Sequence, residues 1–185
     1  YQIIGIAAGT YNGNANLRGV STSSSKPKLL FIGLDGAAKT IIDGTGNRFG
    51  WYIGYSAVIS SITFKNTLGA LFIDASSSEV RLVDLVVRDN TTTPTEWASP
   101  GLHVYNAART EVVGSTFINN GGAPAVQQIY FASGQAKLTN TAVWSTGSGT
   151  MIGNSGSVTL TTTYSFVKGQ TLSGTGNLAG STNPK

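Results

Sequence analysis

The chain has 185 residues, of which 24 are glycine and only 11% are charged. Glycine, serine, threonine and asparagine are weak helix formers, so this composition excludes a mainly helical protein and favours short strands joined by tight turns. The twelve Lys and Arg residues behind the net charge of +4 are scattered, which predicts no nucleic-acid partner, while the lack of cysteine excludes disulfides and the lack of a long apolar run predicts no membrane span.

The first part of the chain is predicted to form short strands separated by glycine-containing turns. Residues 1–13 contain an apolar strand that ends in the turn sequence Gly-Thr-Tyr-Asn-Gly. Residues 14–28 are polar and rich in serine, and we expect them to form a loop that leaves the coil. Two further strands are predicted at 29–33 and 39–44, each ending at a glycine.

From residue 57 onward, a short phrase recurs in which apolar residues alternate and an Asn, Asp or Ser follows. Aligning Phe64, Val87, Phe117 and Val143 gives steps of 23, 30 and 26 residues, which is the range of repeat architectures. The longest step contains a proline-bearing insertion at 91–101. The repeat predicts an all-β solenoid of about seven stacked coils, with residues 1–185 forming one domain that is a fragment of a longer chain.

Four segments carry a resemblance to a known family: IIGIAAGTYNG (3–13), LFIGLDGAAKTIIDGTGN (30–47), STFINNGG (115–122) and TYSFVKGQTLSGTGNLAGSTNP (163–184). They resemble bacterial right-handed parallel β-helix proteins of the pectin-lyase-like superfamily, and most of all secreted or surface proteins similar to polymorphic outer-membrane proteins. The resemblance implies a coil with three faces and a secreted or cell-surface, outer-membrane-associated location. It also implies adhesion or the handling of polysaccharides.

Aromatic residues provide the main candidate for a binding site. Trp51, Tyr52 and Tyr55 lie in one irregular stretch, Trp97 lies in the insertion and Tyr105 follows it. Such rings could form a platform on which sugar rings stack through apolar contact. The alternative is that these aromatic residues cover the core or a coil edge.

An enzyme of this superfamily would be a polysaccharide lyase or a glycoside hydrolase. The residues that could gather for such catalysis are Asp84, Arg88 and Arg109, because a lyase needs a base and cations near the sugar. Asp89, however, takes the place that Asn66 holds in the repeat, which favours a corner residue. The paired aspartates and acidic calcium sites of the family's enzymes are missing from the sequence. We therefore expect no catalytic site, no metal and no cofactor.

The expected function is adhesion, glycan binding or service as a rigid spacer in a surface assembly, with a lyase or hydrolase as the alternative. An ice-binding surface would need threonine at the same position in every coil, which only the segment at 158–163 approaches. The expected partners are a polysaccharide or cell-surface glycan and a neighbouring domain or subunit that covers at least one end of the solenoid, since open strand edges invite pairing.

Overall fold

A computed structural model describes residues 2–12, 15–17, 28–45, 50–91, 99–121, 127–147 and 150–181. These residues form strands and turns, and none of the helices needed to cross a membrane occurs among them. The eighteen strands are Gln2–Ile6 (β1), Gly9–Asn12 (β2), Ala15–Leu17 (β3), Leu29–Gly33 (β4), Thr40–Asp43 (β5), Trp51–Ile53 (β6), Ala57–Ser60 (β7), Thr63–Lys65 (β8), Leu71–Val83 (β9), Val86–Arg88 (β10), Leu102–Val113 (β11), Thr116–Ile118 (β12), Ile129–Phe131 (β13), Gln135–Thr139 (β14), Ala142–Trp144 (β15), Ile152–Asn154 (β16), Thr159–Thr163 (β17) and Phe166–Val167 (β18).

All strand pairs are parallel, and they stack into three faces of a β-solenoid. The first face consists of β3, β6, the beginnings of β9 and β11, β13 and β16. The second face consists of β1, β4, β7, the ends of β9 and β11, β14 and β17. The third face is the seven-stranded sheet of β2, β5, β8, β10, β12, β15 and β18. The predicted fold class is therefore confirmed.

The solenoid makes about five turns, not the seven expected from the sequence. Consecutive strands from β4 to β16 occupy all three faces in turn. The strands β1 to β3 belong to a turn that is only partly described, and β17 and β18 occupy only two faces. The expected number was too high because it counted these partial turns as whole coils.

The four residues aligned in the sequence form one column in the core. Phe64 pairs in register with Val87, Val87 with Phe117, and Phe117 with Val143. All four side chains are fully buried. Because strand side chains alternate between the two sides, every second residue of these strands points inward and stacks on its equivalent in the next turn. Burial of each such side chain contributes roughly 1.5–3 kcal/mol.

The predicted corner residues adopt the left-handed backbone conformation. Asn66, Asp89 and Asn119 follow the third face with φ angles of 57°, 56° and 52°. Asparagine and aspartate tolerate this conformation better than other residues with a side chain, since they can hydrogen-bond locally. The interpretation of Asp89 as a corner residue is confirmed.

A ladder of buried polar side chains, which the sequence analysis missed, lies directly after these corners. It consists of Thr67, Asn90, Asn120 and Gln128, all at most 2% exposed. The Asn90 side-chain amide donates to the Asn120 Oδ1 atom at 2.8 Å, and the Asn120 amide donates to the Gln128 Oε1 atom at 3.0 Å. Thr67 donates to the Asn90 Oδ1 atom at 2.9 Å. Three adjacent turns are thus joined through side chains as well as through their sheets.

The two ends of the solenoid differ. At the C-terminal end, Asn177 accepts from the Ser165 amide at 2.9 Å, and Gln170 accepts from the Ile152 amide at 2.7 Å, so residues after β18 satisfy the last turn. At the N-terminal end, Ile3 is 68% exposed and Ile4 is 37% exposed. Apolar strand surface is therefore accessible only partly protected at β1.

Candidate functional site

A column of aromatic rings lies on the outer surface of the first face. Tyr52 pairs in register with Phe72, Phe72 with His103, and His103 with Tyr130. The successive ring centroids are 5.0, 5.2 and 5.4 Å apart. The flanking residues of each strand belong to the core, so alternation directs these four rings outward. Stacking of the turns therefore builds a continuous aromatic surface from single residues far apart in sequence.

Tyr105 is the exposed member of this aromatic column. The pairing of β9 with β11 is interrupted between Val104 and Asn106, so Tyr105 is the extra residue of a bulge. A bulge changes the direction of a side chain locally. Here it leaves the Tyr105 ring 57% exposed and nearly parallel to the Phe72 ring, with the centroids 6.3 Å apart. Ser133 of the next turn fixes the bulge, accepting from the Ala107 amide at 3.2 Å.

The aromatic column is uncharged at neutral pH apart from one carboxylate beside it. Burial lowers the pKa of His103 to about 4, so its imidazole is neutral. The Tyr52 hydroxyl donates to the Asp74 Oδ2 atom at 2.6 Å. An aromatic surface bordered by an oriented carboxylate and by phenol groups offers both apolar contact and hydrogen bonds to a polar ring.

The five aromatic residues predicted as a platform separate into different environments. Tyr52 and Tyr105 belong to the aromatic column. Trp51 instead points into the core, where its ring packs edge-on against Phe31 at 5.1 Å. Tyr55 is also buried, and burial raises its pKa to about 12. Trp97 lies outside the described residues.

Sequence reasoning missed three members of the aromatic column, Phe72, His103 and Tyr130. Phe72 and Tyr130 were not considered as site residues, and His103 was considered only as a lone outward residue. Their common register with Tyr52 was the available signal, but reading it requires the strand pairing of the first face, where no repeated phrase marks the alignment.

The residues of the catalytic alternative lie on different parts of the coil. Asp84 occupies the corner between the second and third faces with a φ of 50°. Arg88 lies on the third face and pairs with Asp89 at 2.5 Å. Arg109 lies on the second face, in register with Glu79, which is five residues before Asp84 and hence about 16 Å from it along the strand. The structure does not bring the three side chains together.

No family model, curated protein or solved structure matches the chain. The parallel β-solenoid agrees with the fold that the resemblance implies, while membership of the pectin-lyase-like superfamily stays a prediction. Within the described residues, no three His, Asp or Glu side chains are grouped so as to hold a metal ion.

Proposed function

We propose that this chain is a non-catalytic glycan-binding β-helix that acts in adhesion at a bacterial cell surface or after secretion. The observation that carries the proposal is the ring of Tyr105, more than half exposed and supported by a column of buried aromatic rings. A ligand ring that stacks there meets a surface whose position is already fixed. The similarity of four segments to secreted and surface β-helix proteins supports the location.

A glycan suits this surface because a sugar ring has an apolar side and a polar rim. The apolar side would pack on Tyr105 and Tyr130, and the hydroxyl groups would reach the Asp74 carboxylate beside Tyr52. The rings of adjacent turns repeat along the solenoid axis about every 4.8 Å, so the surface fits an extended chain better than a single compact molecule.

The environment of the carboxylates favours binding without catalysis. A glycosidase needs one carboxyl group kept protonated beside a second that is ionised. Asp43 shows the opposite, because hydrogen bonds from Thr45, Lys65 and Asn66 lower its pKa to about 2. Glu111 is paired with Arg81 and Arg109, and Asp89 with Arg88. These acids are held as ionised partners of basic groups.

The test is a glycan array combined with a screen for depolymerisation, carried out with the full 185-residue chain. We expect retention of at least one extended glycan without release of reducing or unsaturated ends. Tyr105→Ala should reduce that retention about tenfold or more, since one stacking ring contributes on the order of 1–2 kcal/mol.

Tyr164→Asn is the matched control. Tyr164 is 61% exposed but lies at a corner between the second and third faces, and the preceding turn has Asn140 at the equivalent corner. This control should retain glycan as the parent chain does. Equal retention by Tyr105→Ala, or release of products from any glycan, would contradict the proposal.

A further inference from the structure

The outer surface of the second face carries charged and polar side chains over three successive turns. Inward residues of β9, β11 and β14, such as Val80 and Ala136, belong to the core. The outward positions in register with one another are Glu79, Arg109, Gln135 and Thr159 in one row and Arg81, Glu111, Lys137 and Thr161 in the other. Four of these eight residues are charged in the two upper turns, and one in the third.

Glu111 fixes the position of two guanidinium groups. Its Oε2 atom lies 3.4 Å from the Arg81 Nε atom, and its Oε1 atom pairs with the Arg109 Nη2 atom. One carboxylate thus serves two cations, which leaves a positive charge on this part of the face. Because Glu111 holds Arg109 in place, that guanidinium loses less side-chain entropy when it binds a further anion.

A depression of about 260 Å³ lies beside Arg109 on the side away from Glu79. Its polar lining consists of Arg109, Lys137, Gln135, Thr159 and Thr161. Each of these side chains can donate a hydrogen bond, and none is a carboxylate. The neighbouring groove of about 340 Å³ contains the acidic residues Glu79 and Glu111, so donors and acids are segregated along the face.

Lys137 provides the second cation of this depression. It lies in register between Glu111 of one turn and Thr161 of the next. Among the residues that the structure describes, Lys137 takes part in no ion pair. Its charge therefore remains available to a ligand.

We propose that this depression, named here the oxyanion site, binds a tetrahedral oxyanion such as sulfate or phosphate. Two cations on adjacent turns and two hydroxyls on a third surround the space from several directions, which matches the oxygens of a tetrahedral anion better than a planar carboxylate. The anion is either free or an ester on a larger glycan. The oxyanion site lies on the second face and does not depend on the aromatic column.

The test is an NMR titration of the full chain with sodium sulfate and, separately, sodium phosphate, with sodium chloride adjusted to keep ionic strength constant. We expect saturating shifts of amides around Arg109, Lys137 and Thr161. Lys137→Gln should weaken binding about fivefold or more, and Thr161→Ala should weaken it by a smaller factor, since a charged donor contributes more than a neutral one.

Arg88→Gln is the matched control, because Arg88 is an exposed arginine paired with a carboxylate on the third face. It should leave sulfate binding unchanged. A sulfated polysaccharide that binds more tightly than sulfate, with the same loss in Lys137→Gln, would identify the anion as an ester on a glycan; equal binding of the free ion would identify a free anion. Shifts that do not saturate, or that follow Arg88 as much as Lys137, would overturn the proposal. Because Tyr105→Ala leaves this face intact, failure of glycan stacking and failure of the oxyanion site are distinguishable.

Discussion

Replacement of Asn120 by alanine tests how much the buried polar ladder contributes to stability. The Asn120 side chain takes part in four hydrogen bonds. It donates to the Val87 carbonyl and to Gln128, and it accepts from the backbone amide and the side-chain amide of Asn90. All of these groups lie inside the solenoid, where water does not replace a lost partner without rearrangement.

The magnitude follows from these bonds. A net contribution of about 1 kcal/mol for each gives about 4 kcal/mol, and the Asn90 amide left without its acceptor prevents the loss from being much smaller. Domains of this kind have free energies of unfolding of roughly 5–15 kcal/mol, so the variant should lose a large fraction of its stability. We therefore expect Asn120→Ala to lower the free energy of unfolding by about 3–5 kcal/mol.

Urea denaturation followed by far-ultraviolet circular dichroism measures this loss, and Asn119→Gly is the control. Asn119 precedes Asn120 but lies at the corner with a φ of 52°, which glycine adopts without strain, and its one acceptor bond, from the Thr146 amide at 3.1 Å, is exposed. The control should lose less than about 1 kcal/mol. If Asn120→Ala loses no more than Asn119→Gly, the ladder does not stabilise the stacked turns.

Three further substitutions make independent predictions. Thr110 is buried and its hydroxyl has no hydrogen-bond partner among the described residues, so Thr110→Val should raise stability by about 1 kcal/mol and the melting temperature by about 2–4 °C; a lower melting temperature would refute this. His103 binds a proton near pH 6.5 when unfolded but only near pH 4 when folded, so stability should fall as pH is lowered from 6.5 to 4, and His103→Phe should remove that part of the acid sensitivity in denaturation midpoints measured against pH. Asp43 stays ionised in the folded chain down to about pH 2, so stability should fall from pH 3.8 toward 2, and an Asp43→Asn profile as steep as the parent's would contradict this.

The sequence predicted the third face most fully because two signals coincide there. Apolar alternation places Phe64 and Val87 on the inner side, and a left-handed Asn or Asp ends each strand. The pattern does not show which of two adjacent polar residues points inward. Asn119 and Asn120 are the same residue type, yet one lies at an exposed corner and the other in the buried ladder. Only the path of the chain after the corner distinguishes them.

The aromatic residues were harder to assign for a different reason. Strand β6 has three residues, Trp51, Tyr52 and Ile53, and all three are buried. Alternation over so short a strand does not reveal which ring faces the core and which joins the aromatic column. Tyr105 depends on a bulge, which has no sequence signature beyond the pairing that it interrupts. The residues of the candidate site therefore follow from strand pairing and not from local pattern.

The variation in coil length is concentrated beside the aromatic column. Phe64 is 7 residues before Leu71, the first residue of the next strand on the first face, whereas Val87 is 15 residues before its equivalent, Leu102. From the first face to the third face the distance changes little, with 16 residues from Leu71 to Val87 and 15 from Leu102 to Phe117. The buried ladder lies where the variable segments begin, so its side-chain bonds hold the turns in register while the connecting segments differ in length. Segments that vary next to a fixed surface are where recognition is usually located, and here they border the face that carries Tyr105.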